Sequence, residues 1–245
     1  MDNCDGMMLL PRESIDLVVT SPPYDDLRTY GGHSWDFYGV AWNLARVLKP
    51  GGVIVWVVAD ATKNGSETGS SMEQALHFKK LGLNLHDTMI YQTSKPPMND
   101  NRYQAAWEYM FVLSRGKPKT WNPLKEKAVY AGQNADSGKI YWNADGTKKP
   151  RHQVNAVAEM RVRENVWRIV SRPGVGHPAV FPEQLATDHI ATWSDQGDVV
   201  LDPFMGSGTT AKAAKALGRH YIGFEINPEY VAICEQRIAQ GSLCI

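Results

Sequence analysis

Residues 199–202 (VVLD) make an apolar run too short for a helix. The run breaks off at Pro203-Phe204-Met205-Gly206-Ser207-Gly208, and a stretch of small residues follows over 209–217. A strand that turns through glycines straight into a helix is the repeating unit of a parallel sheet, because parallel neighbours need a crossover between them. The same alternation recurs along the chain. Residues 15–20 (IDLVVT) predict a buried strand stopped by Pro22 and Pro23. Residues 35–48 carry Phe37, Val40, Ala41, Leu44 and Leu48 at helical spacing and stop at a break, Lys49-Pro50-Gly51-Gly52. Strands are then predicted over 53–58, 87–92, 107–114 and 221–224, with helices over 72–81, 186–193 and 228–240. The fold class is α/β: a doubly wound, mostly parallel sheet with helices on both faces.

Two clusters carry chemistry. In the first, Asp202 to Thr210, the glycines permit a tight turn and let a ligand approach the backbone with no Cβ between. Free amides at the helix start favour an anionic group. One strand later stands Gly223-Phe224-Glu225-Ile226, where an acid at a strand end suits the hydroxyls of a ribose. A Gly-x-Gly turn alone also occurs in other nucleotide-binding enzymes. A phosphate-cradling loop would end in Lys before Ser or Thr, and here Thr209 and Thr210 follow Gly208 directly. The second cluster is Thr20-Ser21-Pro22-Pro23-Tyr24. Consecutive prolines extend the chain and remove two donors, so the carbonyls of Ser21 and Pro22 can act as acceptors. A side-chain oxygen, a main-chain carbonyl and an aromatic face together suit a planar amine. A rigid turn capping a strand is the plainer reading.

These motifs resemble the beta class of DNA amino-methyltransferases, in which an Asp/Ser/Asn-Pro-Pro-Tyr/Phe motif comes first, a variable target-recognition region follows, and the cofactor motif comes last. Ser21-Pro22-Pro23-Tyr24 matches the first motif and Asp202 to Thr209 the last; residues 177–183 (HPAVFPE) resemble the other cofactor-pocket segment. The resemblance implies a Rossmann-like, S-adenosylmethionine-dependent fold with an inserted recognition region. It makes Ser21, Pro22, Pro23 and Tyr24 catalytic. It makes Asp202, Pro203, Phe204, Gly206, Ser207, Gly208, Thr209, Glu225, Phe181 and Asp2 cofactor-binding. Asp2 falls on the acid of a Gly-Asp element. RNA and protein-glutamine methyltransferases with an Asn-Pro-Pro-Tyr motif place the cofactor motif before it, the reverse of the order here. An inactive DNA-binding relative would be expected to lose the glycines or the proline pair, and both are intact.

The sulfonium of the implied cofactor is already an excellent leaving group, so the protein need only orient the acceptor amine and free its lone pair. Because that amine is paired and stacked in duplex DNA, the base must rotate out, onto Tyr24. In this family Ser at the first motif position accompanies cytosine N4 more often than adenine N6, so cytosine is favoured and adenine is the alternative. Cys4, Cys234 and Cys244 lack the Pro-Cys pattern for attack on a ring carbon, and no metal-ligand spacing appears.

Charge locates the polyanion partner. The chain is neutral overall, but residues 115–165 hold eleven Lys and Arg against five Asp and Glu, a balance of +6, with aromatics interleaved. The family resemblance makes this segment the target-recognition insertion, 115–165, with 1–114 and 166–245 as the catalytic and cofactor-binding domain. Arg28, Lys117, Lys119, Lys125, Lys127, Lys148, Lys149 and Arg151 are the expected contacts to double-stranded DNA. A solvated appendage is the plainer reading of the same charges. No apolar run approaches the ~20 residues needed to span a bilayer, and the acidic N-terminus is unlike a signal peptide, so a cytoplasmic enzyme is expected. By analogy with the class, so is a homodimer; the sequence does not tell whether a restriction endonuclease accompanies it.

Overall fold

The computed structural model describes residues 1–23, 35–93, 103, 105–132, 142–148, 157–169 and 182–239. In chain order these form α1 (Asn3–Met8), β1 (Ile15–Thr20), α2 (Phe37–Val47), β2 (Leu48–Val58), β3 (Thr62–Lys63), β4 (Ser66–Glu67), α3 (Ser70–Lys80), β5 (Asn84–Gln92) and β6 (Trp107–Ser114). There follow β7 (Lys125–Lys127), β8 (Met160–Val162), β9 (Val166–Arg168), α4 (Glu183–Trp193), β10 (Val199–Asp202), α5 (Thr209–Ala216), β11 (His220–Gly223) and α6 (Pro228–Ala239). The chain separates into two compact units, Met1–Asn122 with Asn165–Ile245, and Pro123–Glu164.

The larger unit is built on a seven-stranded sheet in the order β11-β10-β1-β2-β6-β5-β9. Only β6 runs against the others, pairing antiparallel with both β2 and β5. The run Val53–Val58 of β2 is buried at every position, as is all of β1, which requires cover on both faces of the sheet. On one face Leu44 of α2 and Phe78 of α3 pack with Ile54, Trp56 and Phe111. Met110, next along β6, points the other way and meets His189 of α4, so α4 covers the opposite face.

From β10 the chain steps through α5 to β11 on one side; from β1 it steps through α2 to β2 on the other. The winding therefore reverses between β10 and β1, and a crevice opens at their carboxyl ends, where open α/β sheets bind ligands.

Lys49-Pro50-Gly51-Gly52 does not separate helix from strand as expected. Leu48 leaves α2 already extended and pairs with Ile15, while Leu17 pairs with Val53, so the four residues form a bulge inside β2. Gly51 absorbs it at φ +79°, where a side chain would press on Lys119. Its N–H donates to the Arg115 carbonyl at 2.7 Å, which keeps the bulge stitched to the chain leaving β6.

The smaller unit is a β7/β8 antiparallel pair, with Arg161 bridging Glu126 and Glu164 at 2.7 Å each. Its strands are short and largely exposed, which is why the segment shows no hydrophobic period. Residues 115–122, expected within the insertion, belong to the larger unit. Thr120 donates to Asp195 at 2.8 Å, and the Asn122 N–H to the Thr192 carbonyl at 2.9 Å.

Candidate active site

Asp202, the last residue of β10, is buried on the crevice floor. Its Oδ1 accepts from the Thr20 hydroxyl at 2.6 Å and the Phe204 N–H at 3.0 Å; its Oδ2 accepts from the Thr210 hydroxyl at 2.8 Å. Desolvation raises its pKa to about 6, against the pull of these donors. Both oxygens are thus engaged by protein groups, and the carboxylate ties the end of β1 to the start of α5.

The glycine loop then turns over this floor. Gly206 sits at φ +51° and Gly208 at φ +84°, both in the left-handed region. A Cβ on Gly208 would run into the Cys234 sulfur of α6. The Gly206 N–H donates to Glu225 Oε2 and the Asn227 N–H to Glu225 Oε1, each at 2.8 Å. Glu225, expected to receive hydroxyls, therefore also anchors the loop, and its second lone pairs remain for a ligand. Arg237 of α6 donates to both the carbonyl and hydroxyl of Ser207 at 2.7 Å. Thr209 opens α5 with its hydroxyl oxygen buried and without a hydrogen-bond partner.

Around the loop stand elements the sequence did not announce. Asp2 is the N-cap of α1, its carboxylate accepting from the Cys4 N–H at 2.8 Å and the Asp5 N–H at 3.3 Å. Asn3 donates to the Pro203 carbonyl at 3.2 Å, and the Met1 ammonium to the Glu225 carbonyl at 3.1 Å. Phe204 meets Trp35 edge-on at 5.0 Å. The Asp2-to-Asp5 capping pattern was visible but short. Thr20 and Thr210 stood at the edges of the two motifs with no role of their own, and Arg237 carried no signal beyond its place in a helix.

Ser21, Pro22 and Pro23 continue the chain from Thr20 at the carboxyl end of β1, with Pro22 buried. Tyr24, Arg28, Phe181, Lys149 and Arg151 lie outside the described residues. The structure does not bring Lys117 and Lys119 to this edge. Lys119 bonds through its N–H to Gly51, five residues back along β2 from Trp56, the partner of Thr20. Gly51 lies in the bulge between the levels of Leu17 and Ile15, roughly 10–16 Å down β1 from Thr20 and at the opposite end of the strand. Lys125 and Lys127 are exposed on β7, and the Lys148 ammonium lies over the Trp142 ring at 5.8 Å. Burial foremost, with Asp2, Asp36 and Asp5 adding to it, pushes the Cys4 thiol up to about 11. Burial also raises the Cys234 thiol, so neither offers a thiolate near neutrality. Tyr91 of β5 is buried, paired in register with the buried Trp167 of β9.

A crevice with a proline-pair motif on one strand and a glycine loop on the next has the layout of a nucleotide-binding site, and comparison with known proteins gives the family. The DNA methylase family model, of the N6/N4 amino-methyltransferases, matches residues 15–236, and the chain belongs to that family. It is 52% identical to the orphan methyltransferase M.BamHII of Bacillus amyloliquefaciens, over 92% of this chain and 89% of that one. It is 27% identical to the type II methyltransferase M.SmaI of Serratia marcescens, over 97% and 88%. Among solved structures, TTHA0409 of Thermus thermophilus, described as a DNA modification methylase and crystallised with S-adenosyl-L-methionine, aligns with a TM-score of 0.68. It is 25% identical over all of this chain and 93% of that one. The cytosine-N4-specific PvuII DNA methyltransferase shares the fold with a TM-score of 0.70 at 21% identity, over 97% and 84%. The chain is a DNA methyltransferase of the amino-methylating type with a Rossmann-like sheet. Among the described residues no helix is long and apolar enough to cross a membrane.

Proposed function

We propose that this chain transfers a methyl group from S-adenosyl-L-methionine to an exocyclic amine of a base flipped out of double-stranded DNA, with cytosine N4 favoured over adenine N6. The observation that carries the reading is the Thr20–Asp202 hydrogen bond, which joins the acceptor motif to the glycine loop across the switch point. The cofactor fits the residues present. The Thr209 hydroxyl is buried and unpartnered, Gly206 is half-buried at φ +51° and has no side chain to block a ligand, and Glu225 keeps acceptor capacity. Pro203, Phe204, the loop from Gly206 to Thr209, Glu225 and Phe181 would hold it, with Asp2 supporting the site through α1. Bound there, it supplies an electrophilic methyl on a good leaving group.

The protein's own part is placement. The Ser21 oxygen and the Pro22 carbonyl accept hydrogen bonds from the two amine N–H groups, drawing the nitrogen lone pair out of ring conjugation, while Tyr24 stacks on the base; once the N–CH3 bond has formed, one of those protons leaves to solvent. Ser21 is a neutral acceptor that can also donate, so it tolerates the ring nitrogen beside the amine. Lys125, Lys127, Lys148, Lys149 and Arg151 are the proposed phosphate contacts. Lys117 and Lys119 are left out because they sit at the far end of the sheet. We take the enzyme to work in the bacterial cytoplasm; a homodimer is expected by family analogy, and sedimentation tests it. Incubation with labelled S-adenosyl-L-methionine and duplex DNA, followed by mass spectrometry of the nucleosides, tests the whole reading. N4-methylcytosine is the expected product. N6-methyladenine would reverse the base preference, and no transfer would overturn the function.

A further inference from the structure

The central strands β1 and β10 are paired only at Leu17 with Val200 and Val18 with Leu201. Beyond Val18 and Leu201 no backbone pair holds the two strand ends together, and there side chains take over. Thr20 and Thr210 both donate to Asp202, at 2.6 and 2.8 Å, and the Thr210 hydroxyl also reaches the Val19 carbonyl at 3.2 Å. All three residues are buried, and their neighbours along the two strands, Val18, Val19, Val200 and Leu201, are buried and apolar. A valine would fill either threonine site with the same shape, and a buried hydroxyl is unfavourable unless its hydrogen bond does something. What this bond fixes is the separation of two strand ends at the mouth of the crevice. One end carries Ser21, Pro22 and Pro23; the other carries the glycine loop.

We infer that Thr20 and Thr210, gathered by Asp202, are positioning residues that set the amine-accepting motif against the cofactor loop and couple the two sites. The inference rests on the proposed reading of those two sites. It predicts a loss of turnover rather than of cofactor affinity, because the loop keeps its own anchors, Glu225 on Gly206 and Arg237 on Ser207. A misplacement of about 1 Å between reacting groups lowers rates by roughly 100-fold.

The test uses the full chain with Thr20→Val, Thr210→Val, the double variant and Thr20→Ser. Thr20→Val should lower kcat by about 10- to 100-fold with KM for S-adenosyl-L-methionine within about 3-fold. The double variant should be no worse than the poorer single one, and Thr20→Ser should return most of the rate. A second readout needs no catalysis. In the wild type, S-adenosylhomocysteine should slow amide exchange at residues 18–21 as well as in the loop; in Thr20→Val only the loop should respond. Unchanged kcat with the coupled exchange intact would overturn the inference, as would a KM rising in step with the loss of rate. If the wild type methylates no DNA yet shows exchange coupling that Thr20→Val abolishes, the functional reading fails and this inference stands.

Discussion

Replacing Asp202 by Asn should stabilise the protein at pH 8 and destabilise it near pH 4.5. The carboxyl pKa moves from 3.8 to about 6 on folding. A difference of about 2 units corresponds to roughly 3 kcal/mol between the two protonation states. The sign follows from proton binding. Between the two values the folded state holds a proton that the unfolded state has lost, so stability falls as pH rises from about 4 to about 6, then levels off. The amide introduced by Asp202→Asn would keep Oδ1 for Thr20 and Phe204 and offer Nδ2 to the Thr210 oxygen, whose own proton can still reach Val19. One amide hydrogen is left without a partner, at about 1–2 kcal/mol. The net gain at pH 8 is therefore about 1–2 kcal/mol, shrinking and reversing as the pH falls. Asp202→Ala keeps no acceptor for the Thr20 hydroxyl or the Phe204 N–H, each worth about 1–3 kcal/mol when orphaned, and should be the weaker protein throughout. Urea unfolding followed by tryptophan fluorescence from pH 4.5 to 8 gives both differences against wild type, and subtraction cancels the other carboxylates. If Asp202→Asn lost as much as Asp202→Ala at pH 8, with a flat wild-type difference, Asp202 would not be a buried, unfavourably ionised hub.

Other outcomes are as direct. Gly206→Leu should abolish S-adenosyl-L-methionine binding by calorimetry with circular dichroism unchanged, since a side chain at φ +51° is disfavoured in the turn and would occupy the space proposed for the cofactor; tight binding retained would reject the cofactor loop. Ser21→Ala and Tyr24→Ala should cut kcat far more than cofactor affinity in steady-state assays, because both act on the base. Lys125→Gln with Lys127→Gln should lower the log–log salt slope of DNA binding by roughly 0.9 per lost contact. Lys117→Gln with Lys119→Gln should leave it unchanged, and equal effects would contradict the assignment of Lys119 to the end of the sheet away from the crevice.

The order of strands and helices was legible in the sequence because each run is local. The 107–114 strand is bounded as expected, and most helix and strand ends lie within three residues of their expected positions. The identity of the two motifs was legible as well, since proline pairs and glycine turns act through their own backbone. Lys49–Gly52 misled, because whether a Pro-Gly run ends a strand or bulges within it depends on partners such as Arg115, 63 positions past Gly52. The basic residues counted as one group along the chain, yet Lys119 is held by Gly51 at one end of the sheet, a placement no charge count contains. Glu225 and Asp202 could be picked out as acids near a ligand. That Asp202 faces inward onto Thr20, 182 positions away, was settled only when β1 and β10 came side by side. The sequence by itself determined which segments are strands, turns and helices, because those preferences act over a few residues. The tertiary structure decided which side chains share a proton, because that depends on distances the chain acquires only when the sheet closes.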